Sequence, residues 1–330
     1  MMLTPTRAVF AAVALVFAAG CSGNATAGGS SALAPPADNA SGAFRVVPGP
    51  VVAGPIYIPL HRTLPAAIGY PKKKKKAVLY VADCDSGVLL YDPSVPNGSS
   101  TGSITDGTDC PFGVAVDKKG NVYVANIGNN SVTVYPQGQT SPSLTITSGI
   151  SSPYSVAVDS KGNVFVSNLG SNDITAYAAG QTSAYESINF NAYGQAVGIG
   201  VDGKDNLWVA CDSTNAVFEI AAGSTTVTNS GITGLNGPIG VSFGKKDVTY
   251  VSSFSGGNVK VFPYGSTSPS QTITTGISGP TQNGVTASGL FFQSNQADDV
   301  VGYKKGGSSP FSTLTATSAA QIASYPLVKK

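Results

Sequence analysis

A short hydrophobic run containing one aromatic residue recurs six times along the chain at nearly constant spacing. The six copies are Leu79–Asp83, Val122–Asn126, Val164–Asn168, Leu207–Cys211, Thr249–Ser253 and Leu290–Ser294. Their aromatic residues, which stand second in each copy, are 43, 42, 43, 42 and 41 positions apart. A period near 40 residues indicates a repeat architecture, because one such unit cannot bury both of its faces without neighbours.

Each period predicts four short strands, which we call a to d. In the second unit, Gly113–Asp117 is strand a, the aromatic run is strand b, Val132–Tyr135 is strand c and Leu144–Ile146 is strand d. These runs are rich in Val, Ile, Thr and aromatic residues, and Gly, Asn, Asp and Pro separate them, as is typical of strands joined by tight turns. Strand a recurs as Ser155–Asp159, Gly198–Asp202, Gly240–Phe243 and Gly284–Ala287. The sequence therefore predicts an all-β fold, a six-bladed β-propeller of four-stranded antiparallel blades.

Two segments compete for strand a of the first blade. Ala67–Tyr70 precedes the first aromatic run, whereas Gln321–Tyr325 falls one period after the sixth strand a. The second segment could replace the first or join it, so the sequence leaves open how the ring closes.

Two strings in the second and third units carry a family resemblance. Residues 124–130 read Val-Ala-Asn-x-Gly-x-Asn, and residues 166–172 read Val-Ser-Asn-x-Gly-x-Asn. With the repeat grammar, they resemble the NHL-repeat six-bladed propellers and the related YVTN-type repeats over roughly residues 65–318. The resemblance implies the fold but does not select a function, since such propellers include lyases, lactonases, sensors and binding modules.

The N-terminus predicts export. Arg7 precedes the apolar run Ala8–Ala19, which is too short to span a bilayer, and residues 1–20 are assigned as a lipoprotein signal peptide. The string Ala18–Cys21 resembles the bacterial lipobox, which implies acylation of Cys21 at the new N-terminus. The alternative is ordinary signal cleavage after Ala27, which would discard Cys21.

Residues 21–60 are assigned as a flexible tether and lead-in, and residues 61–330 as the propeller with a short C-terminal tail. Ser, Ala, Gly and Pro dominate the tether up to Phe44. The predicted location is the cell envelope of a bacterium, as a membrane-anchored lipoprotein. Ser22 directly after the acylated cysteine is the pattern that accompanies sorting to the outer membrane or cell surface.

Three cysteines remain after Cys21. Cys84 lies in the connection from strand b to strand c of the first blade, and Cys110 lies in the following connection from strand d to the next strand a. Both connections belong to one face of a propeller, so a Cys84–Cys110 disulfide is predicted, with two small buried thiols as the alternative. Cys211 is predicted to be unpaired.

Charge separates between the two faces once strands are assigned. The lower face, which carries the a-to-b and c-to-d turns, holds thirteen basic and six acidic residues, a net charge of +7. The upper face, which carries the b-to-c and d-to-a connections, holds eight aspartates and no Lys or Arg. The basic face includes the run Lys72, Lys73, Lys74, Lys75 and Lys76. Such a field favours anionic surfaces below, such as lipid head groups, and a cationic ligand or protein above, although turns are also where solvated charges normally lie.

Little in the sequence predicts catalysis. His61 is the only histidine and precedes the repeats, so no His-based triad can be assembled in the channel, and the chain departs from the virginiamycin B lyase group, which uses a His base. Asp117, Asp159 and Asp202 each begin an a-to-b turn, where a carboxylate accepts backbone N–H bonds. No catalytic or cofactor-binding residue is assigned, and nothing predicts specific recognition of nucleic acid.

The last residue of each aromatic run is expected to form a ring at the upper mouth of the channel. The ring is Asp83, Asn126, Asn168, Cys211, Ser253 and Ser294. Asp83, Asn126 and Asn168 supply oxygen ligands of the kind that Ca²⁺ or Mg²⁺ accepts, a residue-type similarity to the gluconolactonase and senescence-marker propellers. Ordinary capping of strand ends is the alternative.

The function predicted from these features is a ligand-binding or protein-interaction scaffold, anchored by lipid in the cell envelope. The alternative is a metal-dependent lactonase or lyase with its site in the upper channel. The nearly constant period favours the scaffold, because insertions that form lids would lengthen individual repeats.

Overall fold

Six four-stranded antiparallel sheets contain all 24 strands of the computed structural model, which describes residues 77–296 and 299–328. Blade 1 consists of β24, β1, β2 and β3 from the channel outward, and each later blade uses four consecutive strands. The strands are β1 (Val78–Asp83), β2 (Gly87–Tyr91), β3 (Gly102–Ile104), β4 (Pro111–Val116), β5 (Val122–Asn126), β6 (Ser131–Tyr135), β7 (Leu144–Ile146), β8 (Pro153–Val158), β9 (Val164–Asn168), β10 (Asp173–Tyr177), β11 (Ala184–Asn189), β12 (Ala196–Val201), β13 (Leu207–Cys211), β14 (Ala216–Ile220), β15 (Val227–Asn229), β16 (Pro238–Phe243), β17 (Thr249–Ser253), β18 (Asn258–Phe262), β19 (Gln271–Ile273), β20 (Pro280–Val285), β21 (Phe291–Asn295), β22 (Asp299–Tyr303), β23 (Pro310–Thr315) and β24 (Ala319–Tyr325). The predicted fold, a six-bladed propeller, is confirmed.

Helical structure in this part of the chain is limited to two single turns of 3₁₀ helix, Asp212–Thr214 and Lys245–Asp247. No helix within the described ranges is long and apolar enough to cross a lipid bilayer.

The ring closes through β24, the last strand of the chain. It pairs antiparallel with β1, with Ser324 opposite Leu79 and Ile322 opposite Val81, and becomes the inner strand of blade 1. The segment Gln321–Tyr325 therefore supplies strand a of blade 1. Ala67–Tyr70 lies outside the described residues.

Blade 6 is in a different register from the predicted one. Pro280 lies opposite Asn295, as Pro238 lies opposite Ser253 in blade 5, so β21 is the run Phe291–Asn295, one residue later than predicted. The inner strand β20 begins at Pro280, and the predicted strand Gly284–Ala287 overlaps only its last two residues. The error arose because glycine marks the third residue of the inner strand in several blades but the fifth residue in this one.

Tyrosines at the ends of third strands brace neighbouring blades. The hydroxyl of Tyr135 donates to the carbonyl of Asp106 at 2.7 Å, Tyr177 donates to Ser148 at 2.6 Å, and Tyr303 donates to Thr275 at 2.8 Å. In each case the acceptor lies in the connection that leaves the preceding blade. The rings are fully buried, so each tyrosine supplies both apolar contact area and a bond across the blade interface.

The a-to-b turns of blades 2, 3 and 4 have the predicted carboxylate caps. Asp117 Oδ1 accepts from the backbone N–H groups of Lys119 and Asn121 at 2.8 and 2.9 Å. Asp159 and Asp202 make the same pair of bonds in their turns. These aspartates fix the chain reversal, and their predicted structural role is confirmed.

Candidate functional site

The inner strands β24, β4, β8, β12, β16 and β20 contact one another in a closed ring around a central channel. We number the residues of each inner strand from its upper end, so that position 1 is Pro111 in blade 2. Positions 3 and 5 carry mostly small residues. Position 3 is Gly113, Ser155, Gly198, Gly240, Gln282 and Gln321, and position 5 is Ala115, Ala157, Gly200, Ser242, Gly284 and Ala323.

Small residues are required here because neighbouring inner strands approach closely. A Cβ atom added to Gly198 would lie 2.2 Å from the carbonyl oxygen of Ile239, and one added to Gly284 would lie 2.6 Å from that of Ile322. Real Cβ atoms do not tolerate such contacts. Small residues at these positions therefore allow the inner strands to pack closely around the channel.

Two glutamine side chains at position 3 close the middle of the channel. Gln321 Oε1 accepts from the backbone N–H of Val114 and of Val156, both at 3.1 Å, and its Nε2 donates to the Val156 carbonyl at 3.0 Å. The Ser155 hydroxyl lies 3.1 Å from Gln321 Oε1 and 3.3 Å from Gln282 Oε1. The Gln321 carboxamide thus pairs backbone groups on the open edges of inner strands, which would otherwise be buried without partners, whereas the buried Nε2 of Gln282 has no hydrogen-bond partner among the described residues. We call Gln321, Gln282 and Ser155 the polar plug.

Above the polar plug, the upper mouth has an apolar floor. Position 2 contributes Phe112, Tyr154, Val197 and Ile239, against which Leu169 and Phe254 of the b-to-c loops pack. The Phe112 and Tyr154 rings lie 5.0 Å apart. Tyr154 is only 3% exposed. Burial, with a smaller effect of the Asp212 carboxylate, raises the pKa of Tyr154, which is therefore neutral at physiological pH.

Asp212 borders this floor in the b-to-c loop of blade 4. Its Oδ1 atom is buried and has no hydrogen-bond partner among the described residues. Burial raises the pKa of its carboxyl group, while bonds from the backbone N–H groups of Ser213 and Asp212 itself oppose that rise. A carboxylate oxygen left without a donor is a group that a cationic ligand would satisfy.

The charge separation persists in the described residues. The upper loops and adjoining strand ends carry seven aspartates and no basic residue: Asp83, Asp85, Asp106, Asp109, Asp173, Asp212 and Asp299. The lower turns carry eight exposed lysines: Lys118, Lys119, Lys161, Lys204, Lys245, Lys246, Lys304 and Lys305. The run Lys72 to Lys76 lies outside the described residues, as do Asp298, Cys21 and His61.

The asparagines of the predicted ring at the ends of the second strands have a structural role within their own blades. Asn126 Oδ1 accepts from the backbone N–H of Asp109 at 3.2 Å, and Asn168 Oδ1 accepts from that of Ser151 at 3.0 Å. Their Nδ2 groups donate to the neighbouring third strand, for example from Asn168 to Asp173 at 3.0 Å. Each asparagine thereby fastens the incoming d-to-a connection to its own blade.

The equivalent residue in blade 6 is Asn295, and the prediction of Ser294 is wrong because of the register shift. Asn295 Oδ1 accepts from the Ser278 backbone N–H at 3.2 Å, and its Nδ2 donates to Asp299 at 2.8 Å, which repeats the asparagine pattern. Cys211 and Ser253 occupy the corresponding places in blades 4 and 5 and are fully buried.

Asp83 closes the ring of strand ends in blade 1. Its carboxylate accepts from the backbone N–H groups of Ser86 and Ser318 at 2.9 and 3.1 Å, so it joins the first turn of the propeller to the segment before β24. The structure thus places Asp83, Asn126 and Asn168 in separate blades, with their oxygens bonded locally. Among the described residues, no three His, Cys, Asp or Glu side chains are grouped as metal ligands. A Ca²⁺ or Mg²⁺ ion on these residues stays a prediction, which metal analysis of the purified protein would decide.

The structure joins Cys84 and Cys110 by a disulfide. The bond connects the b-to-c loop of blade 1 to the segment that enters blade 2. Cys211 is a buried free thiol, and burial, with a smaller effect of Asp212, raises its pKa to about 12. The thiol therefore stays protonated and unreactive at neutral pH.

Sequence reasoning missed the polar plug. Its signal is a glutamine at position 3 of two neighbouring inner strands, where the other blades have Gly or Ser. That signal becomes visible only when β24 is recognised as an inner strand and blade 6 is placed in its true register.

The chain resembles known propellers in structure but matches none by family. No protein-family model matches it, and no curated protein sequence matches it significantly. It is similar to a chain of the nidogen/laminin complex, with 14% identity, a TM-score of 0.62, and coverage of 75% of this chain and 98% of that one. A protein of unknown function from Bacteroides caccae has 12% identity, a TM-score of 0.57, and coverage of 76% and 98%. A streptogramin B lyase has 11% identity, a TM-score of 0.48, and coverage of 76% and 74%. The first two similarities show a propeller fold.

Proposed function

We propose that this protein is a ligand-binding or protein-interaction scaffold whose upper mouth receives a cationic group. The proposal rests on the Asp212 carboxylate, which lies beside the apolar floor. Its buried Oδ1 atom has no hydrogen-bond partner among the described residues. A primary amine or guanidinium would supply the missing donor. The partly exposed ring of Phe112 would attract such a cation through its face, by about 0.5–2 kcal/mol.

The surrounding charge supports the same class of partner. Asp85, Asp106 and Asp109 are exposed on the upper loops, and no described residue of these loops carries a positive charge. The summed field of such a surface attracts cations over several ångströms and repels acidic partners. A Lys- or Arg-containing segment of a protein or peptide fits both the field and the floor.

A tetralysine peptide should bind the protein, and a tetraglutamate peptide should not. Isothermal titration calorimetry at low and at physiological salt should give weaker tetralysine binding at the higher salt, because screening shortens the range of the attraction. Asp212→Asn, which keeps the shape of the side chain and removes its charge, should weaken binding at least several-fold.

The matched control is Asp92→Asn, which removes one negative charge from the lower face. Equal binding of the two peptides, or equal affinity of the Asp212→Asn and Asp92→Asn proteins for tetralysine, would contradict the proposal.

The proposal also covers the propeller family to which the protein belongs and its location in the cell. The repeat strings at residues 124–130 and 166–172 support an NHL- or YVTN-type propeller, and Ala18–Cys21 supports acylation at Cys21 in a bacterial cell envelope. A lipid anchor would hold the propeller near a membrane through the tether of residues 21–60.

Cys21→Ser should release the protein from membranes. The acyl chains are the proposed attachment, and a serine cannot form the thioether that carries them. Fractionation of cells should then move the protein from the membrane pellet to the soluble fraction, while Cys211→Ser stays in the pellet. Mature protein that begins at residue 28, or a Cys21→Ser protein that still pellets completely, would contradict the anchor.

A further inference from the structure

A second cavity lies at the lower end of the channel, below the polar plug. Its volume is about 170 Å³, and residues of all six inner strands line it, including the small residues of position 5. The space exists because position 5 carries only Ala, Gly and Ser, so no large side chain fills the channel there. Gln321 borders the cavity and separates it from the upper mouth.

The walls of the cavity are mostly apolar. Val158, Val201, Phe243 and Val285, which follow position 5 in their strands, contribute aliphatic and aromatic surface. Leu327 and Val328, directly after β24, complete one side. Among the described residues, the one carboxylate that lines the cavity is that of Asp247, which accepts the backbone N–H of Gly203 at 2.8 Å. An interior of this composition favours uncharged molecules.

Blade 6 departs from the other blades beside this cavity. At position 4 the other five blades pair two aliphatic residues across the first two strands: Val114 with Val124, Val156 with Val166, Ile199 with Val209, Val241 with Val251 and Ile322 with Val81. Blade 6 pairs Asn283 with Gln293 instead. These side chains are 4% and 0% exposed, so two carboxamides are buried in blade 6. The other five blades have Val or Ile at the same places, so the fold does not require polar residues there.

The buried carboxamides are only partly satisfied. Asn283 Nδ2 donates to the Ser252 hydroxyl at 2.6 Å, and that hydroxyl donates to Gln293 Oε1 at 2.7 Å. Asn283 Oδ1 has no hydrogen-bond partner among the described residues, and neither has the hydroxyl of Ser242. Asn283 and Ser242 both line the cavity. Buried polar atoms without partners destabilise a fold, so their presence here points to a bound molecule that pairs with them.

We propose that the lower cavity binds a small uncharged molecule with an apolar body and one hydroxyl or amide N–H group. The body would pack against the valines and Phe243, and the N–H or O–H would donate to Asn283 Oδ1. An apolar protein cavity of about 150 Å³ holds benzene, so the ligand has on the order of six to eight non-hydrogen atoms. This site is independent of the upper-mouth function, because the polar plug lies between the two.

Trp208 provides a direct readout. It is the only tryptophan in the chain, and its ring lies 5.6 Å from the ring of Phe243, which lines the cavity. Cyclohexanol, a six-membered apolar ring with a hydroxyl, should change the Trp208 fluorescence saturably. Tetrahydropyran has a ring of the same size whose oxygen accepts but cannot donate, so its Kd should be roughly tenfold higher, the effect of one lost hydrogen bond.

Two variants locate the binding. Val285→Phe fills the cavity with the residue type that blade 5 already has at the same position, and it should abolish the response to both probes. Asn283→Val combined with Gln293→Val copies the aliphatic pair of the other blades. It should fold at least as stably as the parent and should bind cyclohexanol no more tightly than tetrahydropyran. Val95→Phe, at an exposed residue of the lower turn in blade 1, is the control and should bind like the parent.

A parent protein with no saturable response to cyclohexanol would overturn the proposal. So would a response that survives Val285→Phe, or a preference for cyclohexanol that survives the double substitution.

Discussion

Ile322→Asp should abolish cooperative folding of the propeller or lower its melting temperature by more than any surface substitution. Ile322 is 4% exposed on β24 and packs in a cluster with Leu79, Val81 and Phe292. Burial of a carboxylate there without a basic partner, together with the loss of the aliphatic contacts, should cost more than about 4 kcal/mol. Domains of this kind have only about 5–15 kcal/mol of total stability.

The effect is large because β24 holds the ring closed. It pairs with β1, contacts the inner strands of blades 6 and 2, and carries Gln321 of the polar plug. Loss of this strand would expose the edge of β1 and open the channel.

Thermal unfolding followed by circular dichroism measures the change. Ser103→Asp, at an exposed residue of the outer strand β3, introduces the same charge without burial and should melt near the parent temperature. An Ile322→Asp protein that melts within about 2 °C of the Ser103→Asp protein would show that β24 does not close the ring.

Loss of the Cys84–Cys110 disulfide should lower the free energy of unfolding by about 3 kcal/mol. The bond closes a loop of 26 residues, which contains β2 and β3, and it restricts the unfolded chain more than the folded one. It also joins blade 1 to the entry of blade 2, next to the closure by β24. Blade 1 is the only blade assembled from both ends of the described chain, so this link acts where the ring is most easily opened.

Urea unfolding of the Cys84→Ser/Cys110→Ser protein, compared with the oxidised parent, measures the loss. Cys211→Ala is the matched control, because it removes the sulfur of a buried cysteine that forms no disulfide. In the oxidised parent, alkylation without reduction should label neither Cys84 nor Cys110. Labelling of both, or equal midpoints for the double variant and the parent, would contradict a stabilising disulfide.

The two ends of the channel offer different chemistry because the polar plug divides it. The upper mouth combines aromatic surface with the unpaired oxygen of Asp212, whereas the lower cavity combines aliphatic surface with the unpaired oxygen of Asn283. The two proposed ligands, a cationic partner above and a neutral molecule below, would therefore not compete.

The repeat pattern was sufficient to predict blade number, strand order and the role of the turn aspartates. Strand b carries an aromatic residue in every blade and strand spacing is nearly constant, so local periodicity and turn chemistry specify both blade number and strand order. The role of Asp117 and its equivalents could be predicted for the same reason, because a turn cap depends only on residues within four positions of the capping side chain.

Tertiary structure alone decided which segment closes the ring and what fills the channel. Gln321 acts through backbone groups of Val114 and Val156, which lie 207 and 165 residues away in sequence, and no local pattern encodes such a contact. The same is true of Asn283, which appears in sequence as one more polar residue near a glycine. Only the register of blade 6, set by pairing of Pro280 with Asn295, places it where five other blades have Val or Ile. Local sequence thus determined the blades, while the sites depend on side chains brought together by closure of the ring, because packing between distant strands decides which polar groups are buried without a partner.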